Sequence, residues 1–301
     1  MRLFITGGAG YVGTALCDAL DAAPEIEQIT VYDALVQGDR RFFLRQPAYT
    51  NVRFVHGDLL DTRRLAEACA GHDVVLHLAA HVQEPYHHSQ HVQYDQINGY
   101  GTLSLVRALE ERPEVRRAIY LSSTAVYGFR EGLRADSEPF PQNGYGHSKW
   151  LGERYFAQLA TPERAVHVLR SGQIFGVNRA MRFDTMLHAF LFEALTGGCV
   201  RVYGDGEQTR AFVPLGEVVS AVAERVLGRH PQEPLVRLAS FQASVGQILD
   251  WLTAQNPSLE FRYLTPNAPF PSQRFDDLPG LDESALHAAW TAYSAQSAIH
   301  P

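Results

Sequence analysis

Residues 2–13 read RLFITGGAGYVG, a short apolar run that leads into glycines at every third position, Gly7, Gly10 and Gly13. Residues 3–6 are predicted to form a buried strand, and residues 12–22 a helix. Glycines between a strand and a helix let the backbone approach a pyrophosphate group at the N-terminus of the helix. We therefore expect this turn, together with Tyr11 and Val12, to bind a dinucleotide.

An acidic residue supports this expectation. Asp33 ends a second predicted strand, about 20 residues after the last glycine, where a carboxylate accepts hydrogen bonds from the adenosine ribose. A carboxylate at this place also repels a 2′-phosphate, so the sequence favours NAD over NADP as the cofactor. Arg40 and Arg41 follow in the next loop and leave NADP open.

The rest of the first half alternates short apolar runs with helical patterns, which is typical of βαβ units and a parallel sheet. Strands are predicted at residues 53–56, 74–78, 118–122 and 166–170, and helices at residues 59–70, 101–111 and 146–159. After residue 171 this rhythm ends, with helices predicted at residues 186–196, 217–227 and 286–293 and a strand at residues 200–203. We expect an α/β fold, a Rossmann doubly wound parallel sheet with a smaller C-terminal α/β substrate domain. Residues 1–170 would form the NAD-binding domain, to which a segment near residues 211–239 returns, and residues 171–301 mainly the substrate domain.

The composition argues against several classes of protein. A net charge of −7 disfavours non-specific binding to nucleic acid. No apolar run reaches the roughly 20 residues that a membrane span needs. Three cysteines far apart in the chain, Cys17, Cys69 and Cys199, suit neither a disulfide framework nor a zinc site. We expect a cytoplasmic protein without a secretory signal.

A second constellation lies in the stretch YGHSK, residues 145–149. Tyr145 and Lys149 are four residues apart, so on a helix they share a face, and a nearby ammonium favours the phenolate form of a tyrosine. Lys149 is the single lysine among 26 basic residues, which makes a chance match to this spacing rare. Ser123 follows the predicted strand 118–122, at the edge where open α/β sheets bind ligands. We predict that these three residues are catalytic, with Tyr145 as the base.

Two other segments have both a structural and a functional interpretation. Asp58, in HGDL at residues 56–59, is expected to be the N-cap of the next helix, a role that is compatible with a contact to adenine. Leu78, Ala79 and Ala80 follow His77 at the end of a predicted strand, where small residues suit either core packing or the close approach of a cofactor.

The motifs TGGAGYVG, VYDAL, HGDL, HLAA, SSTAVYG, YGHSK, RSGQIFG and YGDGEQTRAFV follow one another along the chain. In this order, and over nearly its whole length, the chain resembles extended short-chain dehydrogenases/reductases of the NAD-dependent nucleotide-sugar epimerase/dehydratase type, most similar to UDP-glucose 4-epimerases. The resemblance implies the same catalytic triad, adenine contacts from Asp58 and Leu59, and support of the active site by Asn98. It also implies NAD as cofactor, a nucleotide-diphosphate sugar as substrate, and a homodimer.

The resemblance also bears on the reaction. Thr124 and Ala125 stand where dehydratases of the family carry an Asp and a Glu, and where decarboxylases carry the Glu. Neither supplies a carboxylate, so we expect 4-epimerisation of a UDP-hexose or UDP-hexuronate through a transient 4-keto sugar. A 4-keto sugar reductase with the same residues is the alternative, and a dehydratase, a decarboxylase or a non-catalytic dinucleotide sensor is less favoured. The substrate is expected to meet Ser123, Thr124, Gln173 (in place of the family's Asn), Arg210 and Arg274.

Two groups of residues carry weaker hypotheses. The first is a histidine cluster without a framework of carboxylates or cysteines, so we expect no metal there; its members are His81, His87, His88 and His91. Arg179 and Arg182 could recognise a sugar carboxylate, although solvated surface arginines are the commoner outcome.

Overall fold

The structure is a computed structural model. It describes residues 1–36, 40–82, 91–229, 233–264 and 270–297 of the chain.

Strands and helices alternate through the first part of the chain. In order they are β1 (Arg2–Thr6), α1 (Tyr11–Leu20), β2 (Gln28–Asp33), a 3-10 helix (Arg41–Leu44), β3 (Val52–His56), α2 (Thr62–Cys69), β4 (Val74–His77), α3 (His91–Gln93), a π-helix (Tyr94–Gly101), α4 (Thr102–Glu110), β5 (Arg117–Ser123), a 3-10 helix (Thr124–Tyr127), α5 (Gly144–Ala157) and β6 (Ala165–Ser171). The second part contains β7 (Gln173–Phe175), α6 (Met186–Leu195), β8 (Cys199–Val202), β9 (Thr209–Pro214), α7 (Leu215–Val226), β10 (Leu235–Leu238), β11 (Phe241–Ser244), α8 (Val245–Gln255), β12 (Glu260–Tyr263) and α9 (Glu283–Ser297).

Seven strands form one large sheet in the order β10-β6-β5-β4-β1-β2-β3. All neighbouring pairs in it are parallel. The chain order reverses between β1 and β4, which creates the crevice at the carboxyl edge where such sheets bind ligands. This confirms the predicted α/β fold with a doubly wound parallel sheet.

Two smaller sheets, β11-β9-β7 and β12-β8, lie in the second part of the chain. They share a buried cluster with α6, α8 and α9, which includes Phe212, Phe241 and Leu252. By contrast, α7 packs on α1, and β10 pairs with β6 at the edge of the large sheet. The chain thus returns to the large sheet after residue 214, while its division into two domains stays a prediction.

Two helices differ from the sequence expectation. The helix predicted to start at residue 59 starts at Thr62, because the side chain of Asp61 accepts a hydrogen bond from the backbone N–H of Arg64 and caps it. The helix predicted from residue 101 is preceded by the π-helix Tyr94–Gly101, a form often found at functional sites. No helix in the described ranges is long and apolar enough to cross a membrane.

Candidate active site

The glycine turn after β1 has the shape that a pyrophosphate site needs. Gly7 has a φ of +70°, and a Cβ atom there would lie 2.5 Å from the backbone nitrogen of Ala79. Gly10 is exposed and is the N-cap of α1, where no side chain caps the first N–H groups of the helix. Uncapped N–H groups at a helix N-terminus attract an anion. The turn therefore fits a phosphate-bearing ligand.

Tyr11 faces away from that turn. Its hydroxyl donates a hydrogen bond of 2.6 Å to the carbonyl oxygen of Gly176, and its ring meets that of His188 edge to face. Burial raises the pKa of the Tyr11 phenol, and Tyr293 adds to the effect. Tyr11 therefore joins α1 to the segment after β7. Its side chain is engaged there, so the predicted contact with the cofactor would come from its backbone.

Asp33 lies at the carboxyl end of β2, beside the turn. Its carboxylate accepts hydrogen bonds from the backbone N–H groups of Ala9, at 3.1 Å, and Leu35, at 2.8 Å. Burial raises the pKa of this carboxyl, and the two backbone bonds and the charge of His56 oppose that shift. Asp33 thus lies beside the glycine turn, and its contact with the ribose of a cofactor stays a prediction.

Asp58 is not a helix cap, because Asp61 caps α2; that structural interpretation was wrong. The exposed side chain of Asp58 accepts a hydrogen bond from the backbone of Leu60, and its carbonyl oxygen accepts one from the hydroxyl of Tyr32. Leu59 is buried below it. The adenine contact stays a prediction.

The strand end after β4 is half-buried and lies against the glycine turn. The backbone N–H of Leu78 bonds to the carbonyl oxygen of Thr6, and that of Ala79 reaches the Thr6 hydroxyl. Ala80 is half-buried too. These bonds hold the backbone of the strand end close to the glycine turn, and the contact of Leu78, Ala79 and Ala80 with a cofactor stays a prediction.

Asn98, on the π-helix, holds that strand end to α5. Its side chain accepts a bond from the N–H of His81 at 2.7 Å, and donates to the carbonyl oxygen of His81 and to the hydroxyl of Ser148. Asn98 is almost completely buried. It therefore positions the active-site helix, and direct contact with a ligand stays a prediction.

The N-terminus of α5 packs closely on the 3-10 helix that follows β5. Asn143 caps α5 by accepting a bond from the N–H of Gly146, and a Cβ atom on Gly146 would lie 2.5 Å from the carbonyl oxygen of Ala125. This close approach places Ser123 near the side chain of Tyr145, where its hydroxyl lowers the pKa of the phenol. The structure thus joins two of the three predicted catalytic residues.

Tyr145 is half-buried and meets the ring of Tyr94 edge to face at 6.0 Å. Burial raises the pKa of its phenol, while the hydrogen bond from Ser123 and the positive charge of Arg182 lower it. The phenol is therefore protonated at neutral pH in the ligand-free chain. Further positive charge is needed before it can act as a base.

Lys149 lies one turn further along α5 and is 3% exposed. Its ammonium nitrogen Nζ is 4.4 Å from the centroid of the Tyr120 ring. Burial lowers the pKa of Lys149 to about 7, against the opposing influence of Glu153. Lys149 thus changes charge near neutral pH, unlike an ordinary lysine.

The predicted substrate residues lie in two groups. Thr124 is buried at the start of the 3-10 helix beside Ser123, and Gln173 is half-buried at the start of β7. Arg210 donates 2.8 Å bonds to the carbonyl oxygens of Thr209 and Pro271, and the exposed Arg274 lies close along the chain. Their contact with a substrate stays a prediction.

Gln273 is a residue that the sequence did not reveal. Its side chain is buried and donates to the carbonyl oxygens of Thr124 and Gly128, which connects the segment that carries Arg274 to the end of β5. A single glutamine in a proline-rich stretch has no pattern from which this role could be found.

Neither Arg179 nor Arg182 is the solvated surface arginine that we expected. Arg179 forms two bonds with the carboxylate of Asp18, at 2.6 and 3.0 Å, and also contacts Tyr49. Arg182 forms two bonds with Asp184, at 2.9 and 2.5 Å.

The histidine cluster is only partly described. His87 and His88 lie outside the described residues, as does the side chain of His91. Elsewhere in the described ranges, no group of three or more histidine, cysteine or acidic side chains could hold a metal ion.

Comparison with known proteins adds a family to this geometry. Residues 3–231 match the model of the NAD-dependent epimerase/dehydratase family. The chain is 28% identical over 236 residues to UDP-glucuronic acid decarboxylase 1 of Danio rerio, which covers 73% of this chain and 53% of that protein. It is also 28% identical over 226 residues to N-acetyl-alpha-D-glucosaminyl-diphospho-ditrans,octacis-undecaprenol 4-epimerase of Escherichia coli O157:H7, with 73% and 62% covered. The matches span little more than half the length of these curated relatives.

A solved structure shares the fold. The UDP-glucuronic acid 4-epimerase of Bacillus cereus, in complex with UDP-glucuronic acid and NAD, superposes with a TM-score of 0.85 at 22% identity. The match covers 98% of this chain and 100% of that one.

Proposed function

This chain belongs to the NAD-dependent epimerase/dehydratase family, and we propose that it is a nucleotide-sugar 4-epimerase that works through a transient 4-keto sugar. The proposal is supported by the nearness of Ser123 to Tyr145, with Lys149 buried one turn away on the same helix. We take these residues as the hydrogen-bonding hydroxyl, the base and the cation of the reaction.

The residues around the glycine turn fit NAD. The exposed Gly10 at the uncapped N-terminus of α1 suits the pyrophosphate, and the carboxylate of Asp33 suits the adenosine ribose. When bound, NAD accepts the hydride from C4 of the sugar and returns it to the other face, so that none is consumed. Arg40 and Arg41 are the residues that would have to move toward a 2′-phosphate if the cofactor were NADP.

Each catalytic residue has one task in this reaction. Tyr145, as a phenolate, takes the proton of the C4 hydroxyl and gives it back when the sugar is reduced. Ser123 holds the C4 oxygen, and Lys149 stabilises the phenolate and binds the ribose next to the nicotinamide. Tyr145 needs further positive charge to ionise, and the cationic nicotinamide ring of NAD would supply it when the cofactor is bound.

The absence of an acid at two positions favours epimerisation over the other reactions of the family. Thr124, buried after β5, and Ala125 offer no carboxylate to eliminate water or to assist loss of CO₂. This weighs against the decarboxylase named among the relatives. A UDP-hexose or a UDP-hexuronate is the proposed substrate, contacted by Gln173, Arg210 and Arg274.

A uronate has a specific argument in its favour. The positive charge of Arg182 lowers the pKa of Tyr145, so an anionic substituent on a sugar held at Tyr145 would also be attracted by that charge. The guanidinium is already bonded to Asp184, so a sugar carboxylate would have to compete with that side chain. A neutral hexose needs no such exchange.

The proposal also includes the cellular location and the oligomeric state of the enzyme. The three cysteines are all among the described residues and are free thiols, which suits a cytoplasmic enzyme. Exposed Val92 and Tyr100, on the helical run that packs beside α5, offer apolar surface for a homodimer. We assign neither nucleic acid nor a membrane as a partner.

The experiment is a screen of nucleotide-diphosphate sugars with the purified enzyme and no added cofactor, read by chromatography and mass spectrometry. An isomer of unchanged mass supports epimerisation. Turnover that requires added NADPH and adds two hydrogens would favour the 4-keto reductase instead. Loss of water or of CO₂ would contradict the argument from Thr124 and Ala125.

A further inference from the structure

A buried ion pair lies directly behind the catalytic helix. The guanidinium of Arg170, on β6, donates two hydrogen bonds to the carboxylate of Glu153, on α5, at 2.9 and 2.7 Å. The hydroxyl of Ser122 donates a third, at 2.6 Å. Glu153 is 8% and Arg170 4% exposed. The pair is therefore almost fully shielded from water.

Stability alone does not require such a pair. Removing two charges from water costs as much as their attraction returns, and apolar replacements of buried pairs are often equally stable. The surroundings nevertheless hold this pair firmly: Arg170 lies over the Tyr127 ring at 4.7 Å, and its strand neighbour in the register is Ser122. Because so many contacts hold one carboxylate that stability does not require, we look for its role in the active site.

The carboxylate lies one helical turn from Lys149. Glu153 follows Lys149 by four residues, so the two share a face of α5, and helical side chains lean toward the preceding turn. Both side chains are buried on that face. The same relation joins Lys149 to Tyr145, so the three residues form one line along the helix.

Several other titratable groups surround this line. The neighbouring elements contribute His77 from β4, Tyr94 from the π-helix, Tyr120 from β5, Tyr127 from the 3-10 helix and Arg170 from β6, while Arg107 and Glu110 of α4 are exposed. Of these, His77 lies below Tyr120 and is kept neutral by burial, which lowers its pKa to about 3. Glu153 is thus the buried carboxylate that acts on Lys149, and it opposes the loss of the lysine's proton.

We propose that Glu153 is a positioning residue of the reaction, whose carboxylate, held by Arg170 and Ser122, keeps the ammonium of Lys149 in place and charged. Its part in catalysis rests on the proposed epimerase function, because there Lys149 must be a cation. Its effect on the charge of Lys149 does not rest on that function and can be measured without turnover.

The test uses the single lysine of the chain. Labelling with [ε-¹³C]lysine places one label in the full-length protein, at Lys149, so its NMR signal reports the pKa of that residue without assignment. We expect Glu153→Gln to lower the pKa of Lys149 by about one unit or more, the scale of a nearby opposite charge. The decline of activity at high pH should move to lower pH by the same amount.

Two further variants make the outcome decisive. Glu193→Gln is the matched control, because it removes a carboxylate bonded to an arginine, Arg201, far along the chain, and should leave the lysine signal unchanged. If Glu153→Gln fails to fold, the double variant Glu153→Gln/Arg170→Gln removes both charges and leaves neither buried alone. It should still lower the pKa of Lys149, though by less.

A pKa of Lys149 that stays within about 0.3 units of the wild-type value in Glu153→Gln, or in the double variant if the single one does not fold, would overturn the proposal. This would hold whether or not the protein proves to be an epimerase. Conversely, a shifted lysine in a protein without epimerase activity would support the charge effect and contradict only the proposed function.

Discussion

The ammonium nitrogen of Lys149 lies 4.4 Å from the centroid of the Tyr120 ring, with the side chain almost fully buried. A site of this size accepts the compact ammonium of lysine. The guanidinium of arginine is planar and broader, and its charge is spread over the whole group. Burial between an aromatic ring and the catalytic helix thus explains why a chain that otherwise uses arginine keeps one lysine here.

Lys149→Arg is therefore expected to lower kcat by roughly a hundredfold or more although it keeps the charge, because overpacking displaces the cation from the ribose and the phenolate. The measurement is kcat together with the NAD content of the purified protein. Arg154→Lys is the matched control, the reverse exchange on the exposed face of the same helix. Comparable activity of Lys149→Arg and the wild type would show that charge alone suffices.

Tyr145→Phe is expected to abolish epimerisation, with a loss of about 10³-fold or more, because it removes the hydroxyl that would exchange a proton with the sugar. The ring still packs against Tyr94, so NAD binding and thermal stability should change little. Tyr155→Phe, further along α5, serves as the control. Substantial residual turnover in Tyr145→Phe would exclude Tyr145 as the base.

Asp33→Asn should change the choice of cofactor. The amide oxygen can still accept a bond from the N–H of Ala9, but the charge that repels a 2′-phosphate is lost. We expect the ratio of NADP to NAD affinity to rise by about tenfold or more, measured as two Kd values by calorimetry. An unchanged ratio would mean that other residues, such as Arg40 and Arg41, set the preference.

Asn98→Ala should destabilise the protein by about 2–4 kcal/mol, because it leaves the backbone groups of His81 and the hydroxyl of Ser148 without their buried partner. Ser148→Ala removes only one of these bonds, and a smaller loss of about 1 kcal/mol is expected. Both values come from urea denaturation at neutral pH. Equal losses in the two variants would contradict the role given to Asn98.

Acid should weaken the fold through His77. Burial, reinforced by the charge of Lys149, lowers the pKa of His77 from 6.5 to about 3. Between these values the unfolded chain binds a proton that the folded chain does not, so stability falls as the pH drops below 6.5. From pH 7 to 5 the loss is about 2 kcal/mol.

Urea denaturation at both pH values measures this loss. In His77→Gln the change between the two pH values should be smaller by about 2 kcal/mol, since the titrating group is gone. His147→Gln, an exposed histidine on α5, should behave like the wild type. Parallel changes in wild type and His77→Gln would show that other groups carry the acid sensitivity.

The first strand, the glycine turn and the spacing of Tyr145 and Lys149 could be predicted because each is a local pattern. Apolar runs, glycines and a four-residue spacing report backbone geometry within a few residues of one another. The parallel sheet could be predicted from the alternation of strands with helices, whereas the order of its strands was not predicted. The local patterns therefore decide the fold class, while the catalytic roles stay predictions.

Other features depend on partners far along the chain. The pairing of Glu153 with Arg170, and the bond from Tyr11 to Gly176, arise only when separate elements meet. The π-helix Tyr94–Gly101 differs from an α-helix in its i→i+5 hydrogen bonds, and a stretch of eight residues is too short for its sequence to reveal that difference. The short strand β7 carries too few residues to show a period.

The proposed reaction is a reversible transfer of the C4 hydride within one sugar. The most direct measurement is incubation of purified enzyme with UDP-[4-²H]glucose or UDP-[4-²H]glucuronate and no added cofactor, with the product analysed by NMR. The account predicts the C4 epimer with deuterium retained at C4, and no epimer from Tyr145→Phe. An epimer that has lost the deuterium to solvent, or no epimer from either sugar, would contradict it.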